Sequence, residues 1–157
     1  PFTIGKQYSR KDASRLLNWR TNMSSTIYGY KVDAETNTSP VFVTLHKSDE
    51  VSASTAYEDE LIDPQTLQWF TRSKRNLESN EVDLIVKNKV SIHVFAKQSD
   101  ADGPGHYYLG QAQAIDPVET SMPDKEGKAL SVVRMQLKFD QAIQVGLFDY
   151  FHSVLTV

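Results

Sequence analysis

Short β-favouring segments, separated by turns and seldom linked by a helix, constrain the fold of this chain more than any other feature. The clearest is residues 90–96, where apolar side chains alternate with Ser91 and His93. Gly103-Pro104-Gly105 predicts a turn, after which residues 106–114 return as another strand. The two segments therefore predict an antiparallel hairpin with a long loop.

The remaining elements follow from the same rules of periodicity and capping. Four further strands are predicted, at residues 26–32, 41–46, 67–72 and 130–139. Three helices are predicted, at residues 9–19 (with a capping box at Ser9 and Asp12), at residues 79–87, and after Asp140. Polar loops are predicted at residues 47–63 and 116–128. Antiparallel strands dominate and no βαβ crossover is visible, so we predict an α+β fold: a strongly curved, mainly antiparallel sheet or small β-barrel flanked by two or three helices.

The size and composition favour one globular domain. The chain has 157 residues, 24% of them charged, and no apolar run of membrane-spanning length. It has no cysteine, which excludes disulfides and thiolate chemistry, and its start does not resemble a signal peptide. We therefore expect a cytoplasmic protein. Because the sequence begins at Pro1 without methionine, we expect residues 1–157 to form a single accessory domain of a larger protein.

Sequence motifs for catalysis and for cofactor binding are missing. The chain has no G-x-x-x-x-G-K, G-x-G-x-x-G or G-x-S-x-G motif, and its four histidines share no metal-binding spacing. A magnesium-dependent nuclease would need acids and a lysine on adjacent strands. Asp63, Glu81, Asp83 and Lys87 are the right residue types at the wrong spacing. We predict no cofactor, no metal and no enzymatic activity.

Charges are unevenly distributed, although the net charge is only −3. Residues 1–32 and 64–97 carry an excess of Lys and Arg, whereas residues 33–63 and 98–157 carry an excess of Asp and Glu. A domain of this kind can present a basic face to phosphates while it stays acidic overall. The alternative is that folding mixes the charges again.

The segment from Trp69 to Asn76 is the densest candidate binding site. It combines two aromatic rings and the hydroxyls of Thr71 and Ser73 with three cations, which include Arg72 and Arg75. Cations neutralise phosphates, and aromatic rings stack on exposed bases. The alternative for Trp69 is that its ring fills the core, since neighbouring strand residues point to opposite faces.

Other candidates combine aromatic rings with charged groups at three places in the chain. They are Tyr28-Gly29-Tyr30-Lys31 with Lys47 after the next strand, Tyr57-x-Asp59, and Tyr107-Tyr108-Leu109-Gly110. A carboxylate such as that of Asp59 can accept a hydrogen bond from a cytosine amino group. Some of these rings must lie in the core, because successive side chains alternate between the faces of a strand.

With these residues in view, the chain resembles a domain of unknown function found at the C-terminus of bacterial superfamily-two helicases with a phospholipase-D-like nuclease domain, and in HNH-type endonucleases. The motifs that carry the resemblance run through nearly the whole chain: Gly5-Lys6-x-Tyr8-Ser9-Arg10, Tyr28-Gly29-Tyr30, Val41-Phe42-Val43-Thr44-Leu45-x-Lys47, Tyr57-x-Asp59, Trp69, Ser79-x-Glu81, Val94-Phe95 and Tyr108-Leu109-Gly110. The chain departs from the family pattern at Thr71-Arg72-Ser73 and at Ala129-Leu130.

The resemblance implies a DNA-binding specificity module of a DNA-processing, restriction or phage-defence protein, joined covalently to a helicase or nuclease domain. By analogy of fold, it also implies similarity to PUA-like and SRA-like readers of modified bases. Trp69, Tyr57 and Asp59 are then expected near a base pocket and Lys47, Arg72 and Arg75 on phosphates, with three further contact residues, Tyr30, Thr71 and Ser73. The alternative is a protein-protein or intramolecular docking domain that does not contact DNA, which predicts an exposed apolar patch.

Overall fold

The computed structural model describes residues 1–20, 27–45, 59–99 and 103–153. Its helices are α1 (Arg10–Leu16), α2 (Asn80–Val86) and α3 (Val145–His152). Its strands are β1 (Gln7–Tyr8), β2 (Thr38–Thr44), β3 (Glu60–Asp63), β4 (Thr66–Phe70), β5 (Ser91–Lys97), β6 (His106–Pro123) and β7 (Ala129–Phe139). None of the helices in these ranges has the length and apolar character that crossing a bilayer requires.

All seven strands join one sheet, in the order β2-β5-β6-β7-β4-β3, with β1 paired to β6. Every pair is antiparallel except β2 and β5, which run parallel. The sequence analysis missed this crossover because the connection from β2 to β5 contains β3 and β4 as well as α2, and so does not show the short strand–helix–strand pattern.

Two irregularities bend β6, the longest strand. One lies where Gly110, with φ +116°, pairs with Val94, and the other lies between Ile115 and Val118. Bulges increase local twist and curvature. The sheet is accordingly a strongly curled half-barrel, and the predicted α+β fold class is confirmed. The polar loop predicted at residues 116–128 is wrong, because β6 continues to Pro123 and only a short turn precedes β7.

The curled sheet is buried on both faces at its centre. One cluster lies on the side of α2 and α3 and includes Trp69, Val82 and Phe151. A second, aromatic cluster lies on the opposite side with α1 and includes Phe42 and Phe95. Because β2 and β5 contribute to both clusters, β2 is buried on both faces, whereas the period-two alternation of residues 41–46 predicts a half-buried strand.

His93 illustrates the same point, because alternation along the predicted strands places His93 and His46 at outward positions, whereas the structure buries His93. Only 8% of its surface is exposed, and its Nδ1 lies 2.9 Å from the hydroxyl of Tyr108. Burial lowers the pKa of His93 below its ordinary value. His46, which was predicted to share this orientation, lies outside the described residues.

The helices begin at the predicted capping residues in two cases out of three. Ser9 and Asp12 form the predicted capping box at the start of α1. Ser79 precedes α2 as predicted, but its side chain caps no helical N–H. Gln144, and not Asp140, is the N-cap of α3. The strand predicted at residues 26–32 is wrong over the described residues 27–32, which form only isolated bridges.

Candidate nucleic-acid interface

The chain leaves β4 as a segment of residues 71–79, called here the β4 exit segment. The Thr71 side chain, 4% exposed, accepts a hydrogen bond from the backbone N–H of Val133 at 3.0 Å. The backbone N–H of Arg75 donates to the carbonyl of Ser131 at 3.2 Å. Between these anchors, Lys74 has φ +62° and an exposed side chain. The segment is therefore held against β7 while it presents Lys74 to solvent.

The two rings singled out in this region lie inside the protein. Tyr30 and Trp69 are each 2% exposed, and their rings meet edge to face with centroids 4.9 Å apart. The core alternative for Trp69 therefore describes the observed arrangement. Burial, followed by the charge of Glu81, raises the pKa of Tyr30. The participation of either ring in base recognition stays a prediction.

Arg72 ties the turn at Tyr28 to the end of β4. Its guanidinium lies over the ring of Tyr30, 4.3 Å from the centroid. Its Nε donates to the backbone carbonyl of Tyr28 at 3.0 Å, and its Nη2 donates to the carbonyl of Tyr30. Stacking on Tyr30 and two hydrogen bonds therefore hold Arg72 in place.

Glu81, at the start of α2, faces both arginines of the exit segment. Arg75 Nε donates to Glu81 Oε1, and Arg72 Nη1 lies 3.8 Å from Glu81 Oε2. The hydrogen bond from Arg75 to Glu81 raises the pKa of Arg75. We call Arg72, Arg75 and Glu81 the Arg–Glu cluster. Its net charge is +1, so the acid offsets half of the positive charge that the sequence places here.

The remaining predicted site residues divide into two groups. Asp59 is brought to the same place, because its Oδ1 accepts a hydrogen bond from the backbone N–H of Phe70 at 3.0 Å. The carbonyl of Ser73 accepts from Arg75 Nη1 at 3.2 Å, so Ser73 belongs to the same network. Lys47 and Tyr57 lie outside the described residues. The structure thus gathers Tyr30, Asp59, Trp69, Thr71, Arg72, Ser73 and Arg75 around the end of β4.

Two exposed residues of this region lie within the candidate segments but were not among the predicted contact residues. Tyr28 is 71% exposed, the most of the large apolar side chains described, and Lys74 projects from the exit segment. Tyr30 was chosen from the Tyr28-Gly29-Tyr30 motif, in which alternation along a strand would place both rings on the same face, because they are two residues apart. The turn at Gly29, with φ +80°, breaks this alternation, so that Tyr28 is exposed while Tyr30 is buried.

No group of three or more metal-binding side chains occurs within the described ranges. The acids that resembled a nuclease set are engaged elsewhere. Asp83 pairs with Lys87 one helical turn away at 2.7 Å, Asp63 accepts from the backbone of Gln65, and Glu81 belongs to the Arg–Glu cluster.

The sequence profile of one family, described as a domain of unknown function (DUF3427), matches residues 2–151. The chain belongs to this family. The predicted resemblance is confirmed at this level, whereas attachment to a helicase or to an HNH-type endonuclease stays a prediction. No curated protein matches the chain.

Three solved structures share the fold. The MspJI restriction endonuclease in complex with a 27-mer oligonucleotide has a TM-score of 0.58 and 10% identity, over 88% of this chain and 42% of that chain. The sulfur-binding and SRA domains of ScoMcrA complexed with phosphorothioated DNA have a TM-score of 0.57 and 9% identity, over 98% of this chain and 46% of that chain. AspBHI, a DNA modification-dependent restriction endonuclease, has a TM-score of 0.51 and 14% identity, over 74% of this chain and 63% of that chain. The chain therefore spans 42% to 63% of these solved chains, and likeness at this identity establishes the fold alone.

Proposed function

We propose that this chain is a non-catalytic DNA-binding specificity module of a bacterial DNA-processing or restriction protein, and that it reads a modified base. The observation that carries the proposal is the shared fold. The half-barrel is similar to that of MspJI, of AspBHI, which is modification-dependent, and of the ScoMcrA domains bound to phosphorothioated DNA. Because fold alone does not determine function, the local chemistry has to support the same conclusion.

The chemistry at the end of β4 supports it. A carboxylate, an indole and two guanidinium groups come together there in Asp59, Trp69, Arg72 and Arg75. A carboxylate can accept from a cytosine amino group, and an aromatic wall can hold a base that has left the stack. In the described arrangement Trp69 is covered, so base recognition requires the ring to become accessible when DNA binds.

The cations of this region would supply the sequence-independent part of binding. Lys74 is exposed, and the Arg–Glu cluster adds a net charge of +1 beside it. Each phosphate that such a group neutralises releases counterions and makes the affinity depend on salt. A phosphate that contacts Arg75 through Nε has to replace Glu81, which favours discrimination over tight non-specific binding.

The proposal includes a larger protein around this domain. A module that reads DNA without cutting it acts through an attached activity, and we propose a helicase or nuclease domain in the same cytoplasmic protein. The proposal is supported by the MspJI and ScoMcrA chains, of which this chain covers only 42% and 46%, so that the shared fold there forms part of a longer chain.

The test is a titration of fluorescently labelled duplexes that share one sequence and differ only at a central cytosine or its phosphate. The cytosine is unmodified, 5-methylated or 5-hydroxymethylated, and a fourth duplex carries a phosphorothioate. We expect one of the two duplexes with a modified cytosine base to bind at least tenfold more tightly than the unmodified one. Preference for the phosphorothioate duplex alone would show that the backbone, and not the base, is read. Equal affinities would refute modified-base reading, and the absence of any salt-dependent binding would favour the docking alternative.

A further inference from the structure

Tyr28 is the most exposed large apolar side chain of the described residues, with 71% of its surface accessible. An amphipathic ring that projects into water beside charged residues is typical of a contact surface, because such rings are enriched where one molecule binds another. A single exposed ring is not unusual by itself. Tyr28 is distinguished by the contacts that hold the turn on which it lies.

The turn around Tyr28 is held by three hydrogen bonds to its backbone and by the buried ring of Tyr30. Arg72 Nε donates to the carbonyl of Tyr28 at 3.0 Å, and Arg72 Nη2 donates to the carbonyl of Tyr30. The N–H of Phe42 donates to the carbonyl of Gly29 at 2.6 Å. The ring of Tyr30 is buried between Trp69 and the Arg72 guanidinium. A backbone held in this way loses little conformational entropy when the Tyr28 ring binds, which favours affinity.

The surroundings indicate a nucleic acid as the ligand. Arg72, which fixes the turn, belongs to the Arg–Glu cluster, and the exposed cation Lys74 lies two residues further along the exit segment. A planar ring next to positive charge matches the way proteins hold bases and backbone together, with stacking for the base and cations for the phosphates. A purely apolar protein partner would have no need of the neighbouring charges.

We propose that Tyr28 stacks on a base of the bound DNA, from a turn whose backbone Arg72 holds. This proposal rests on the proposed function, since it names a contact made by the same module. The contact is distinct from the pocket expected around Trp69, because Tyr28 points away from the core on the other side of the turn at Gly29.

The experiment measures duplex affinity at several salt concentrations for Tyr28→Ala, Tyr28→Leu, Tyr28→Phe and Tyr28→Trp. Stacking on an aromatic ring is lost in the first two variants, so we expect affinity to fall roughly 5- to 100-fold. The aromatic variants should stay within about twofold of the parent. The salt slope should be unchanged in all four, because no phosphate contact is removed.

Val145→Ala is the matched control, since Val145 is 67% exposed on α3 and is also apolar. It should bind like the parent chain, and all variants should melt at the same temperature, because only the backbone of Tyr28 is hydrogen-bonded to Arg72. Should Tyr28→Ala melt early, Tyr28→Leu, which keeps most of the bulk, decides between stacking and folding.

The outcomes separate the two proposals. Parent-like affinity of Tyr28→Ala, in a chain that binds DNA, overturns the role of Tyr28 and leaves the proposed function standing. Weak binding by Tyr28→Ala with full binding by Tyr28→Leu would show a non-aromatic apolar contact and overturn stacking. A parent chain that binds no duplex overturns both.

Discussion

Replacing Glu81 by Gln should leave Arg72 and Arg75 without their carboxylate partner and so make both available to phosphates. The substitution removes the carboxylate that accepts from Arg75 Nε and lies 3.8 Å from Arg72 Nη1. The net charge of the cluster then rises from +1 to +2. We expect tighter binding to unmodified duplex at low salt, because phosphate no longer competes with an internal acid.

The size of the effect follows from the number of guanidinium groups released. Each additional phosphate contact adds about 0.9 to the slope of log affinity against log salt. Between 50 and 200 mM salt this amounts to an extra loss of about 3.5-fold for one contact and about twelvefold for two. The Glu81 side chain is 22% exposed and both arginine side chains are 30% exposed, so the cost in folding free energy should be about 1 kcal/mol or less.

Asp83→Asn provides the control, because it changes the net charge of the same helix by the same amount. Asp83 pairs with Lys87 at 2.7 Å and does not belong to the cluster. Anisotropy titrations of both variants at four salt concentrations should give a steeper slope for Glu81→Gln and a parent-like slope for Asp83→Asn. Equal slopes would show that only the total charge matters. Weaker binding by Glu81→Gln would show that Glu81 organises the arginines for DNA instead of competing with it.

Three further predictions test other parts of the structure. Lys74→Ala should lower the salt slope by about 0.9 without a change in melting temperature, as measured in the same titrations; an unchanged slope would remove Lys74 from the interface. Trp69→Ala should lower the free energy of unfolding by about 3–5 kcal/mol in urea titrations, because the indole fills the core, and a loss below about 1 kcal/mol would contradict its burial. The pKa of His93 is lower in the folded chain than in the unfolded chain. As the pH falls below about 6.5, His93 is therefore protonated in the unfolded chain before it is protonated in the folded one. The free energy of unfolding should consequently decrease below that pH. His93→Gln should make the loss between pH 7 and 5.5 smaller in urea titrations, and an equal loss in both proteins would exclude this cause.

Local sequence signals predicted most of the sheet. Period-two alternation located β5 and β7 to within one residue, and the Gly103-Pro104-Gly105 turn located the start of β6. The capping box at Ser9 located α1 because its two hydrogen bonds are formed between residues three apart. These features depend on neighbours in the chain, and so they are visible in the sequence.

The features that the sequence analysis did not predict depend on contacts between distant parts of the chain. The parallel pairing of β2 with β5 joins Thr38 to Ser91, and nothing near either residue specifies it. The extension of β6 past Asp116 was hidden by Pro117, which looked like a loop residue but lies at a bulge, where proline is tolerated.

The sequence analysis located the segment that holds the candidate site, but it did not predict the contacts between the side chains of the site. Aromatic and basic residues between Trp69 and Arg75 marked the right region, whereas the pairing of both arginines with Glu81 requires α2 to fold back onto the exit segment. The exposure of Tyr28 likewise depends on the contact between Arg72 and the turn 44 residues earlier in the chain.

The central claim is that DNA binds at the end of β4, and the two tryptophans of the chain provide an internal comparison. Trp69 belongs to the core cluster on the side of α2 and α3, and it lies beside the Arg–Glu cluster. Trp19 packs against the aromatic cluster on the opposite face of the sheet, and its Nε1 donates to Thr38 at 2.9 Å. The measurement is a titration of the ¹⁵N-labelled chain with a modified duplex, followed by the two indole N–H resonances. The account predicts that the Trp69 resonance shifts with the backbone amides of residues 71–75 and that the Trp19 resonance stays in place. A shift of Trp19 alone, or of neither tryptophan at saturating DNA, would contradict it.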